Sequence, residues 1–317
     1  LADLITRIAL EAVVTERGVS TFDRTGHRPL PMESLLDTVG QLAPGLFEAG
    51  PRAAVREHAF GGGTAAQALW AATQTVEQDR EVHAVHCRFL RHGDTTAPTQ
   101  IEVTPTQDGR RYTARSVVAE QHGRKILTMD AAFHLPESGW QHQVPTADAP
   151  DAEDVPALED RLLTLSDAGQ RWLDHLRNSH PFEFRFVDTL HPILSGECTY
   201  PPRLRAWLRS RDPLPSDRFA QACAMVYVSD LFLLSTAMMP HVPVASRDNV
   251  ARASLDHAVW LHRTPDLDDW HLFDMESTWA GHGRALCGSR IFDRDGRIVA
   301  TVQQEVMLRQ PSEPATD

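Results

Sequence analysis

A shift of 173 positions lays one strand-rich stretch of this chain on another without a gap. Gly123 falls on Gly296, and the turn His122-Gly123-Arg124 meets Asp295-Gly296-Arg297. Ile126-Leu127-Thr128 meets Val299-Ala300-Thr301, Arg111 meets Arg284, and upstream Val82–Val85 meets Leu255–Ala258. Both stretches read in the same order: helix, three strands, a turn, a fourth strand. The helices do not superpose at this shift, so one copy carries an insertion between helix and first strand. An internal repeat of this length implies two copies of one folding unit, and 317 residues suffice for two.

The units can be bounded. Residues 1–31 form an extension in which Leu4, Ile5, Ile8, Ala9, Ala12 and Val13 recur at helical spacing. Residues 32–136 are the first unit. Gly61-Gly62-Gly63 opens a helical run, Thr64–Thr75, and strands are expected over Val82–Leu90, Gln100–Thr106, Tyr112–Val118 and Ile126–His134. Residues 137–180 are a linker and a helix. Pro136, Pro145, Pro150 and Pro156 stand among Asp, Ala and Glu, a composition with little to bury, before a helical period over Leu158–Leu176. Residues 181–309 are the second unit, with strands near Phe182–Val187 and Leu204–Leu208, a helix Ser216–Met238 and further strands. Residues 310–317 are a tail.

Each unit must cover a long apolar helix with a run of antiparallel strands. In the second unit Ala220, Ala224, Tyr227, Leu231 and Leu234 make the stripe, and Phe232 and Leu233 widen it, so burial nearly all round is expected. The hotdog fold meets this demand with a curved sheet wrapped about a helix. The expected class is α+β, a double hotdog: two helix-wrapped antiparallel sheets fused edge to edge into one continuous sheet, which hides two strand edges.

Charge narrows the function. Forty-three acidic against 31 basic side chains give a net charge of −12, which argues against sequence-independent nucleic-acid binding. An anionic small ligand needs only a local arginine cluster, and Lys125 is the sole lysine. Leu1–Val14 is broken by Asp3, Arg7 and Glu11, and no stretch approaches the ~20 apolar residues of a membrane span. No membrane partner and a cytoplasmic location are therefore expected. Cys87, Cys198, Cys223 and Cys287 lie far apart with no CxxC spacing, which fits buried free thiols and no zinc site. His83 and His86 fall on opposite strand faces, as do His257 and His262, so no metal is expected between them. His257 reads as a hydrogen-bonded structural histidine sooner than as a tunnel wall. Gly61-Gly62-Gly63 lacks the Gly-Lys-Ser/Thr ending of a P-loop and reads as close packing at a helix start. Asp266, Asp268 and Asp269 read as a solvated loop, without the offsets of a calcium loop.

Several segments together resemble one family. Phe60-Gly61-Gly62 with Gln67-Ala68-Leu69 is similar to the opening of the first hotdog of acyl-CoA thioesterase II, the TesB type. His83–Arg91 with Gly93-Asp94 resembles its next strand, and Asp108-Gly109-Arg110 with Arg115, Val117 and Gln121 its following hairpin. Ser254–Arg263 is the strongest segment, followed at family spacing by Glu276-Ser277-Thr278, Arg284, Asp295-Gly296, Val299-Ala300 and Gln304-Glu305. The likeness spans about residues 33–309. Gly63 departs from it, since the family often has Gln there.

The resemblance implies hydrolysis of acyl-CoA to free acid and coenzyme A, with no cofactor and with homo-oligomers as the expected assembly. It implies an Asp/Ser/Gln triad at Asp230, Ser254 and Gln304, with Gln303 the alternative amide and Thr278 the alternative hydroxyl. The chemistry suits these residues. No G-x-S-x-G elbow is present, so an acyl-serine is not suggested. A carboxylate can take a proton from a water that a hydroxyl and an amide hold in place. At the repeat shift Ser254 corresponds to Glu81 and Gln304 to Ala131, and by the helix motifs Asp230 corresponds to Gly63, so the first copy cannot build the same triad. Two alternatives stay open: an enoyl-CoA hydratase, which would need a His close after Asp230, and a catalytically silent acyl-CoA-binding protein.

Overall fold

The computed structural model describes residues 31–51, 58–157, 160, 174, 176–188, 200–241 and 251–309. The helix expected within 1–31, most of that over 158–176, Cys198 and the tail lie outside the described residues. The first unit holds α1 (Met32–Leu36), β1 (Val39–Ala43), β2 (Leu46–Ala49), α2 (Gly61–Thr73), β3 (Glu81–Phe89), β4 (Thr99–Asp108), β5 (Tyr112–Gln121) and β6 (Arg124–His134). The second holds β7 (Phe182–Phe186), β8 (Arg203–Ser210), α3 (Arg218–Ser229), α4 (Leu233–Met238), β9 (Ala251–Ser254), β10 (Asp256–Leu261), β11 (His271–Gly281), β12 (Arg284–Phe292) and β13 (Ile298–Arg309).

Among the described residues, thirteen strands form one sheet in the order β1-β2-β4-β5-β6-β3-β10-β13-β12-β11-β8-β7, with β9 beside β13. This is the fused double hotdog expected from the repeat. The join lies between β3 and β10, where Val85 pairs with Val259 and His86 with Ala258. Those pairs exchange under the 173-residue shift, so a local two-fold axis runs between the two strands. Two edges that would otherwise offer unpaired backbone groups satisfy each other there.

Composition dictates how the helices pack. Ala65, Ala66, Ala68, Leu69, Ala71 and Ala72 of α2 are fully buried, because small side chains let the helix lie close to both the sheet and α3. Every residue of α3 from Phe219 to Ser229 is buried. Strand alternation supplies the other wall: on β5, Thr113, Arg115, Val117, Ala119 and Gln121 face inward. Arg115 and Gln121 act as polar clamps. Arg115 donates to the hydroxyl and carbonyl of Thr75, fixing the exit of α2. Gln121 donates to the Asp94 and Ala97 carbonyls and accepts from the Asp94 backbone nitrogen, closing the loop after β3.

Two sequence expectations change. The helix expected over Ser216–Met238 is broken. Leu231 N closes a tight turn onto the Val228 carbonyl, and Phe232 adopts a left-handed conformation with φ 68°, which a bulky residue rarely tolerates. Its ring is held against Phe184 and Phe186, with centroids at 5.4 and 5.3 Å, and that packing sustains the break. The stretch Arg218–His241 is also long and apolar enough to cross a membrane by length and composition alone, contrary to the sequence reading, but most of it is buried in the core of the second unit.

The proline-rich join is no loose tether. Its carbonyls are fastened to the outer face of the second unit: Trp207 Nε1 donates to Pro150 O at 3.0 Å and Arg185 Nη1 to Ala152 O at 2.7 Å. Gln143 donates to Gly296 O and accepts from Ile298 N. Ala152 and Val155 pack on Trp207, Trp270, Leu272 and Phe292. A segment poor in apolar side chains is ordered here because its backbone carbonyls find fixed donors.

Candidate active site

The helix break sets the site. Asp230 is the C-cap of α3, and the chain turns away immediately after it. Its carboxylate, on a residue only 7 % exposed, lies where the C-terminal end of α3 meets the N-terminal end of α2. The N-cap of α2 is Phe60, whose side chain offers no capping acceptor, so the first turn of α2 keeps N–H groups for other partners. Gly62 N donates to Asp230 Oδ2 at 2.8 Å. This approach requires glycine. A Cβ on Gly62 would stand 2.5 Å from the Tyr227 carbonyl oxygen, and one on Gly61 3.0 Å from Asp230 Oδ2.

The other carboxylate oxygen faces the sheet. Ser254, the last residue of β9, donates from Oγ to Asp230 Oδ1 at 3.0 Å. Gln304 of β13 donates from Nε2 to Ser254 Oγ at 2.8 Å. The structure thus brings Asp230, Ser254 and Gln304 into one hydrogen-bonded chain. Burial raises the Asp230 pKa above the usual carboxylate value, against hydrogen bonds from Ser254, Gln304 and the Gly62 N–H, which favour the charged form. A carboxylate so held takes up a proton more readily than an exposed one.

The alternative residues lie elsewhere. Gln303 is exposed on the opposite face of β13, where its side chain covers Gly288. Thr278 is exposed on β11 beside a register shift. Trp260 points to the outer face, with its ring 4.9 Å from that of His86. Among the described residues no three His, Cys, Asp or Glu side chains gather as a metal ion would need.

Sequence reasoning underrated two neighbours. Gly62 was legible only as a packing glycine, since a backbone donor leaves no side-chain signature. His257 is fully buried and meets Gln304 directly. His257 shares the inward face of β10 with Val259, and Gln304 that of β13 with Val302, but only the pairing of β10 with β13 puts them side by side.

The related position in the first unit is built differently. The N-terminus of α3 is capped by its own Asp217, whose Oδ2 accepts from Ala220 N at 3.1 Å. Glu81, the counterpart of Ser254 at the repeat shift, lies 3.7 Å from Arg218. One end of the helix pair therefore gathers a buried carboxylate, and the other is filled by a self-cap and an ion pair.

Two hotdog units sharing one sheet define a double-hotdog protein, with a carboxylate, a hydroxyl and an amide linked at the helix junction. Family models for the acyl-CoA thioesterase N-terminal domain and C-terminal domain match residues 49–134 and 143–308. The chain belongs to the acyl-CoA thioesterase family, type II (TesB). It is 35 % identical over 256 residues to acyl-CoA thioesterase 2 of Haemophilus influenzae, covering 79 % of this chain and 87 % of that protein. A crystal structure of an acyl-CoA thioesterase II from Mycobacterium marinum superposes with a TM-score of 0.72 at 35 % identity, over 89 % of this chain and 99 % of the other. A hot-dog-fold protein from Alicyclobacillus acidocaldarius, 21 % identical, shares the fold with a TM-score of 0.69 over 88 % and 99 % of the chains.

Proposed function

We propose that this enzyme hydrolyses acyl-CoA to free acid and coenzyme A, with Asp230 as general base and Ser254 and Gln304 holding the attacking water. The observation that carries the reading is the Asp230–Ser254–Gln304 chain, with a buried carboxylate at its end. Water attacks the thioester carbonyl carbon while its proton passes to Asp230. The tetrahedral intermediate then expels the coenzyme A sulfur, which takes up a proton. Ser254 and Gln304 orient the water, which is the entropic part of the work. The N-terminal end of α2, already bound to Asp230 through Gly62, supplies the positive end of a helix to the developing oxyanion.

Purified protein given saturated acyl-CoA and a thiol reagent should release free thiol. Absence of release, with or without tight binding, overturns this reading, and a hydratase gives no release either. We propose further that the chain works as a homo-oligomer in the cytoplasm. Exposed rings on the outer sheet face, with Tyr112 at 52 % exposure, support association. Free buried Cys87, Cys223 and Cys287 suit a reducing compartment. Light scattering at the 35.3 kDa monomer mass would count against the oligomer, and recovery outside the cytosolic fraction against the location.

A further inference from the structure

Gln304 reaches in two directions. Its Nε2 meets Ser254 Oγ at 2.8 Å, and its Oε1 faces His257 Nδ1 at 2.5 Å. The other ring nitrogen of His257 lies 2.8 Å from Ser229 Oγ. Ser229 is the covalent neighbour of Asp230, so the path closes on itself: Asp230, Ser254, Gln304, His257, Ser229 and back through one peptide bond. His257 and Gln304 have no exposed surface, and Ser229 has 1 %. Both ring nitrogens of His257 are engaged within the protein, so what it does at the site passes through Gln304.

The direction of every bond follows from one end. An ionised carboxylate only accepts, so Ser254 must donate its single proton to Asp230. Ser254 Oγ can then only accept from Gln304, which must turn its amide nitrogen toward it. That leaves the Gln304 carbonyl facing His257, and a carbonyl only accepts, so Nδ1 must carry a proton. Burial lowers the His257 pKa, while Asp230, Gln304 and Asp256 raise it. Burial is the largest of these, so the ring is neutral and Nε2 is an acceptor for the Ser229 hydroxyl. Val226 O, 3.2 Å from Ser229 Oγ, is the competing acceptor for that proton. With the amide reversed and the proton still on Nδ1, two donors would face each other at His257, and two oxygens without a proton between them would meet at Ser254.

We infer that His257 is a positioning residue: it locks the amide orientation of Gln304 and so commits the Ser254 proton to Asp230. This rests on the hydrolytic reading above. It explains why a histidine is buried without a charged partner in direct contact. It also gives Ser229 a use, since its hydroxyl holds the other ring nitrogen in place.

The test uses the full chain with saturated acyl-CoA and a thiol reagent. His257→Leu removes the donor to Gln304, whereas His257→Asn can place an amide N–H near the former Nδ1. The leucine variant should lose about ten- to hundredfold in kcat, the scale of a misplaced reacting group, with KM within about twofold. The asparagine variant should recover most of that loss. In a Gln304→Ala background His257→Leu should cost less than about threefold more, because residues that act as one unit are not additive. A merely structural role instead predicts that asparagine does not rescue, that losses follow thermal stability, and that they multiply with Gln304→Ala; any of these overturns the inference. Should His257→Leu fail to fold, Ser229→Ala tests the same link. It should lower kcat several-fold in the native background and not in Gln304→Ala, and unchanged kcat in Ser229→Ala overturns the role. Native protein and Asp230→Asn run alongside. If the native protein releases no thiol, or Asp230→Asn releases it at the native rate, hydrolysis by this site fails and the inference with it. If Asp230 is needed but His257→Leu works normally, the positioning role alone fails.

Discussion

Asp230 Oδ2 accepts a hydrogen bond from the backbone nitrogen of Gly62 at 2.8 Å, across 168 residues of chain. Each hotdog unit thus holds half of the arrangement: the second supplies the carboxylate, the first the helix N-terminus that receives it. A side chain at Gly62 would force the helices apart, since its Cβ would meet the Tyr227 carbonyl at 2.5 Å. Gly62→Ala should destabilise the fold by about 1–3 kcal/mol, the usual range for overpacking, and should lower thiol release as well. Urea denaturation and the thiol assay check both, and an alanine variant with native stability and native kcat would rule the close approach out as a requirement.

Removing the proposed base should move activity and stability in opposite directions. Asp230→Asn keeps the shape and removes the proton acceptor, so kcat should fall by about two to four decades. The folded carboxyl has a raised pKa, chiefly from burial, so the folded chain binds that proton more tightly than the unfolded one. Stability is then lost as pH rises from the ordinary aspartate range through the folded value, and the penalty is complete above it. Asp230→Asn should therefore melt higher than the native protein at neutral pH, with the gap closing as pH falls to about 4. A lower melting temperature at neutral pH contradicts the assigned sign.

Ser254→Ala and Gln304→Ala should each cost less than Asp230→Asn, because they orient the water without taking its proton. Their double mutant should fall well short of the product of the single losses, since the two side chains share one hydrogen bond at 2.8 Å. Steady-state kinetics of the four proteins decide this; full multiplicativity would mean that they act independently.

One chain should carry one functional site. The equivalent end of the helix pair is closed by the Asp217 cap and the Glu81–Arg218 pair. Calorimetric titration with a non-hydrolysable acyl-CoA thioether should give one equivalent bound per chain. Two equivalents would show that the first unit has kept a site of its own.

The reaction should also be indifferent to alkylating reagent at Cys87, Cys223 and Cys287 under native conditions. Cys87, Cys223 and Cys287 are buried, and burial pushes their thiols up, that of Cys287 to about 11. A thiol is a nucleophile only as the thiolate. Rapid inactivation by iodoacetamide in the folded state would contradict this.

Much of this architecture was written along the chain. The repeat at 173 residues required two like units, and the β3–β10 pairing reproduces its symmetry residue by residue. Period-2 alternation required Gln303 and Gln304 to take opposite faces, and the folded strand turned Gln304 inward. The apolar stripe of α3 required a sheet wrapped about it. These are local or periodic properties, fixed by covalent spacing and by the need to bury apolar surface.

What the tertiary structure alone decided is how distant groups meet. No local signal ends α3 at Asp230. The break depends on Phe232 being gripped in a left-handed conformation by Phe184 and Phe186, two residues of another strand. Nor does composition show that the proline-rich join is fastened down, because its partners are backbone carbonyls and remote side chains. The same holds at the site: Gly62 N–H, Asp230, Ser254, Gln304 and His257 come from five elements, and their hydrogen bonds depend on distances of a few tenths of an ångström. Periodicity sets which face a side chain takes. Only the packed sheet and helices set what stands opposite it, because hydrogen bonding depends on position in space and not on separation along the chain.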